Sequence, residues 1–139
     1  RPDVDPLDVD FKGGDSRTYR DVVGDGLERD HVPSWAATQE AILRRYPGID
    51  QELLDWLYKN TPTIAIPDEA HKVRRTTGGR NTPAQVGSDA DDLRKAARLD
   101  ESDLRRTLLA EGFEEDEVDE ALSALREFRD EWGVERWME

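Results

Sequence analysis

Two histidines stand out in a chain that has no others, because each sits among residues that can move protons or hold a phosphate. His31 lies in Glu28-Arg29-Asp30-His31-Val32-Pro33-Ser34, and His71 lies in Ile66-Pro67-Asp68-Glu69-Ala70-His71. After His71 come Lys72, Arg74, Arg75 and then Thr76-Thr77-Gly78-Gly79-Arg80-Asn81-Thr82. On a helix, His71, Arg74 and Arg75 stand at i, i+3 and i+4, so imidazole and guanidinium can share a face. The paired glycines let the backbone approach a ligand, and Arg80, Asn81 and Thr82 supply donors. Imidazole, guanidinium and open backbone amides together suit phosphodiester cleavage, which needs a proton acceptor, a proton donor and stabilisation of a highly charged transition state. The plainer reading is structural: both histidines hydrogen-bonded in the fold, the arginines paired with surface carboxylates, the glycines an ordinary loop.

Composition narrows the alternatives. The chain has 139 residues, about one domain's worth, with a net charge of −13 and 38% charged residues. With no Cys there is no disulfide framework, thiolate zinc site or Cys nucleophile. No apolar run is long enough to cross a bilayer, and no secretory leader is visible, so no membrane role is expected. The first residue is Arg1 and the single Met is Met138, as expected of a piece cut from a longer polypeptide or of a processed chain. Sixteen of the 20 basic residues are Arg, which fits a high-GC or salt-loving source in which acidity chiefly serves surface hydration. Charge is uneven: residues 61–87 carry 4 basic and 2 acidic groups, whereas residues 88–139 carry 8 and 18. Contact with a polyanion is therefore expected in the middle window.

The elements that must position these residues follow from caps and periodicity. Residues 1–16 read as an extended arm or linker, and 17–139 as a single domain with its histidine motifs in 27–82 and an acidic helical region in 88–139. Short extended pieces are predicted near 18–32, around the Gly24-Asp25-Gly26 turn, and at Thr63–Ile66. Ser34 and Asp50 cap two helices ending at Pro47-Gly48 and at Asn60-Thr61-Pro62. Pro67 opens a helix reaching about Arg75. Ser88 is read as the cap of Asp89–Leu99, and Asp100 as the start of a run to Ala110 stopped by Gly112. A last long helix runs from about Glu114 to Trp132, with Trp137 on a short turn. The predicted class is α+β, mainly α, with about five or six helices around a small β element.

Four pieces in order, Arg29-Asp30-His31-Val32-Pro33-Ser34, Ile66-Pro67, His71 and Gly78-Gly79-Arg80-Asn81-Thr82, resemble a C-terminal nuclease toxin domain of the polymorphic (RHS-type) toxin systems. That resemblance spans about Leu27 to Leu99. It implies an antagonistic effector, delivered or secreted within a larger toxin, acting in the target-cell cytoplasm and neutralised in the producer by a cognate immunity protein.

Two mechanisms compete. In the metal-free one, favoured here, the chain is an endonuclease cleaving RNA, such as a tRNA, as a monomer. His31 and His71 form the acid/base pair, since an imidazole ordinarily titrates near about 6.5. Asp30 orients His31; Arg74, Arg80 or Lys72 stabilises the phosphate; and Ser34, Arg75, Thr77, Gly78, Gly79, Asn81 and Thr82 bind substrate. In the other, Asp-His-Val-Pro is similar to the first strand of HNH nucleases. One Mg²⁺, Mn²⁺ or Zn²⁺ would then sit on Asp30, His31 and His71 and cleave DNA. Asn81 has no downstream histidine to complete that pattern. A different class also stays open, an acidic immunity or adaptor protein with residues 88–139 as its binding surface. ADP-ribosyl transfer is less well supported, because no Glu motif accompanies Arg80.

Overall fold

A computed structural model describes residues 5–11 and 26–133. The predicted strand piece before Gly26, its Gly24-Asp25 turn and the turn at Trp137 lie outside the described residues. The described chain runs β1 (Val9–Phe11), β2 (Leu27–His31), α1 (Trp35–Arg45), α2 (Gln51–Lys59), β3 (Pro62–Pro67), α3 (Asp68–Lys72), a 3-10 turn at Gly78–Arg80, α4 (Pro83–Asp91), α5 (Leu93–Ala110) and α6 (Glu115–Trp132). It is the expected α+β class, mainly helical, around one small sheet.

That sheet is antiparallel with β3 in the middle. A central strand is covered on both faces, which suits the β-branched, uncharged Pro-Thr-Ile-Ala-Ile-Pro sequence. Its two prolines fall at the strand ends, where a missing N–H is tolerated. Ile64 and Ile66 are wholly buried and join Leu104 and Leu108 of α5 with Val118, Leu122 and Leu125 of α6 in the main core. β1 arises from the segment read as an arm or linker. Val9 pairs with Ile64, and Leu7 donates its N–H to the Ala65 carbonyl at 2.6 Å.

Several helix ends are where the caps put them. The Ser34 hydroxyl accepts from the Ala37 N–H at 3.2 Å, and Asp50 accepts from the Glu52 N–H at 3.3 Å. Glu114 and Glu117 form a reciprocal capping box at the start of α6. Gly112, at φ +98°, takes the left-handed turn after α5. The expected boundary between Ser88 and Asp100 is corrected. Thr82 caps α4, with Pro83 in its first turn, and the helix runs through Ser88. The break comes at Asp92, whose side chain accepts from the Lys95 N–H at 3.1 Å to start α5. Asp100 then falls inside α5, fully buried. The helix carrying His71 also ends at Lys72, not Arg75, and Pro67 sits at its N-cap. Among the described residues no helix is long and apolar enough to cross a membrane.

Candidate active site

The pleat of β2 decides what reaches where. Glu28 and Asp30 pair in register with Ile66 and Ile64, on the side of the main core; Leu27, Arg29 and His31 point to the other side. A cavity of about 240 Å³ is lined by all four residues from Glu28 to His31, so it straddles the strand. Ser34, Trp35 and Ala36 at the start of α1, Tyr58 of α2, His71 of α3, and Thr76 and Asn81 of the following loop complete its wall. The structure thus brings Asp30, His31, His71, Ser34 and Asn81 to one cavity.

His31 is buried, and its Nε2 lies 2.9 Å from the Tyr58 carbonyl oxygen. A carbonyl only accepts, so Nε2 carries the proton and Nδ1 is the basic atom of the neutral ring. Trp35 and Tyr58 pack against the ring at centroid distances of 5.9 and 5.1 Å. His71 is more open, with about a third of its side chain exposed (32%). Its Nδ1 is buried without a hydrogen-bond partner, 3.8 Å from Oδ1 of Asp30. The accessible edge of the ring is therefore the one bearing Nε2.

Asp30 was expected to orient His31, but the pleat turns it to the opposite side of the strand, where it faces His71. Its other oxygen, Oδ2, accepts from Nη1 of Arg74. Arg74 is fully buried and cannot meet a phosphate as the sequence reading supposed. Its Nε donates to Asp103 at 2.8 Å and its Nη2 to the Asp100 carbonyl at 3.2 Å. Arg74 therefore fixes Asp30 from behind and does not stabilise the reacting group.

Arg75 is similarly engaged, by Asp89 through both terminal nitrogens (2.8–3.0 Å) and by Asp100 at 2.8 Å. Burial pushes the Asp100 carboxyl up to about 6 despite Arg74 and Arg75 beside it. Burial also acts on Asp103 but is outweighed there, and hydrogen bonds from Arg75 and Arg74 hold it below the usual range. Asp100 further accepts the Ser34 N–H at 3.2 Å, tying α5 to the start of α1.

The remaining expected residues serve the loop. Thr77 donates to the His71 carbonyl at 2.6 Å, Arg80 to the Lys72 carbonyl at 2.7 Å, and Lys72 pairs with Glu69 on the surface. Gly78 and Gly79 form the 3-10 turn, Gly78 at φ +56°, and Thr82 caps α4. Of the loop set, only Asn81 lines the cavity; its carbonyl accepts from Gln85 at 3.0 Å, which leaves its amide nitrogen to donate. Glu28, Arg29, Trp35, Tyr58 and Thr76 line it without having been singled out. For Arg29 the signal was present, two residues before His31 on a period-two strand. Asp30, His31 and His71 do not form a three-ligand cage, and no other such group occurs among the described residues. A larger groove, about 570 Å³, runs past Arg45–Asp50 and Leu53, but it is mostly apolar and holds no imidazole.

Fold and site together define a mainly helical α+β domain whose imidazole- and carboxylate-lined cavity is braced from behind by buried guanidinium–carboxylate pairs. In an alignment 137 residues long that covers 94% of it, the chain is 36% identical to a protein named deoxyribonuclease CdiA from Dickeya dadantii (strain 3937). It spans 4% of that much longer protein. The match is consistent with the resemblance to a polymorphic-toxin nuclease domain, and it extends well beyond Leu27 to Leu99. No family model matches the chain, and no solved structure matches it.

Proposed function

We propose that the chain is the nuclease domain of an antagonistic toxin and that its substrate is DNA. The observation that carries the reading is the Arg74–Asp30–His71 alignment at a cavity shared with His31. A carboxylate facing Nδ1 favours the proton there and leaves Nε2 to accept one, the arrangement a general base requires. On DNA, which has no 2′-hydroxyl, the nucleophile is water. His71 Nε2 takes its proton as oxygen attacks phosphorus, and His31, protonated at Nδ1, returns one to the leaving 3′-oxygen. Asn81 supplies an amide donor to a phosphate oxygen. The chemistry is proposed to proceed without a metal.

The name of the similar protein supports DNA over the RNA that the metal-free two-histidine mechanism favoured. Delivery within a larger polypeptide, neutralisation by a cognate immunity protein and action as a monomer belong to the same proposal. RNA remains the second reading, because two imidazoles at one cavity also suit attack by a 2′-hydroxyl.

The test is to incubate the purified chain and its His71→Ala variant with plasmid DNA and with total RNA, each with and without EDTA. DNA cleavage persisting in EDTA and falling about 10²–10⁴-fold in His71→Ala is expected. RNA loss alone would replace the substrate, and DNA cleavage abolished by EDTA would replace the mechanism. A substrate left intact in every arm would end the nuclease reading.

A further inference from the structure

Arg29 is 3% exposed, yet its Nε and Nη1 are buried without a hydrogen-bond partner. Among the described residues no carboxylate comes within ion-pair distance of it. The two carboxylates that favour its charge most, Asp10 and Asp8, act from farther away and against the effect of burial. An arginine does not escape by giving up its proton, so it remains a buried, under-compensated cation. Buried polar groups are nearly always satisfied, and an orphaned donor in a native fold asks for a partner the fold does not provide. The contrast with Arg74 is direct, since that guanidinium meets two carboxylates and a carbonyl.

Arg29 also lies where a partner is needed. It lines the cavity with Asp30, His31 and His71, and shares a strand face with His31. Its planar fork of donors matches two oxygens of a phosphate group. Neither the cations expected to stabilise phosphate, Arg74, Arg80 or Lys72, nor Arg75, expected to bind substrate, lines that cavity. We propose that Arg29 is the phosphate-gripping residue of the site, its donors completed by the oxygens of a nucleic-acid backbone phosphate. This rests on the nuclease reading for the identity of the ligand, though not for the existence of an anion site.

The test combines stability with binding. In the His71→Ala chain, which spares the substrate, Arg29→Gln should weaken binding of a short fluorescein-labelled DNA duplex about tenfold to a hundredfold. The slope of log affinity against log salt should fall by about one, the signature of a single lost phosphate contact. In the otherwise unchanged chain, inorganic phosphate should raise the melting temperature, and Arg29→Gln should abolish that rise. Arg29→Lys should recover part of both effects. Without ligand, the Gln variant should melt no lower than the parent, because an unpaired buried charge has been removed.

A Gln variant that melts lower or does not fold would make Arg29 a structural residue and overturn the proposal. So would an unchanged phosphate effect or salt slope. If the parent chain neither cuts nor binds any nucleic acid, yet phosphate stabilises it only with Arg29 present, the nuclease reading fails while the anion site stands.

Discussion

Two regions on either side of β2 bury guanidinium groups beside the cavity, and they treat them in opposite ways. Behind the cavity, Arg74 and Arg75 are surrounded by Asp30, Asp89, Asp100 and Asp103, every link 3.2 Å or shorter. On the other side of β2, Arg29 is nearly as inaccessible as Arg74 and has no such partner among the described residues. Arg29 and Arg74 are alike in burial and charge, so what distinguishes them is satisfaction. A cation that the fold completes is scaffold; one that it leaves incomplete is available to a ligand. The acidic helical part, read from composition as a separate surface, belongs to the scaffold, because Asp100 and Asp103 of α5 reach the loop after His71.

The comparison can be broken most sharply at Arg74. Arg74→Met should strand Asp30 and Asp103 without their cation and cost about 3–5 kcal/mol of stability, measured by urea unfolding. A loss below about 1 kcal/mol would mean that the paired region does not hold the fold. The next effect concerns pH. Asp100 titrates near 6 when folded, above its ordinary value of 3.8, so between these limits the native state binds more protons than the unfolded one. Its contribution therefore lowers stability as pH rises from about 4 to 6, by at most about 3 kcal/mol in all. Unfolding free energies at several pH values in that window, at fixed ionic strength, should rise more steeply with pH, or fall less, in Asp100→Asn than in the parent. Equal slopes would remove Asp100 from the linkage. The smallest effect is expected outside both regions: Arg80→Ala should change stability by less than about 0.5 kcal/mol, since Arg80 is exposed and holds one loop carbonyl. A larger change would show that the loop, too, is part of the brace.

How much of this was legible in the sequence follows from the range of the interactions. Ser34, Asp50 and Glu114 act on backbone two or three residues away, and their helices begin as read. The convergence of the His31 and His71 motifs needs only that β2 and β3 pair, with α3 following directly from β3. The roles of Asp100 and Asp103 were not legible. An aspartate in an acidic helix looks like a cap or a solvated charge until an arginine more than twenty residues earlier is known to lie beneath it. Arg74 was misjudged for the same reason: its spacing from His71 suggested a shared helical face, but the helix stops at Lys72 and the chain turns the guanidinium inward. Asp30 was assigned to the wrong imidazole because adjacent strand residues point to opposite sides.

The short strand at Val9–Phe11 adds more than a third ribbon to the sheet. Its segment carries Asp8 and Asp10, whose negative fields reach Arg29 from a distance and temper its attraction for anions. A chain trimmed to begin after Phe11 would lose this counterweight together with one margin of the sheet. It should fold less firmly and yet hold phosphate more tightly, so that the same few residues set both how well the domain stands and how strongly it grips.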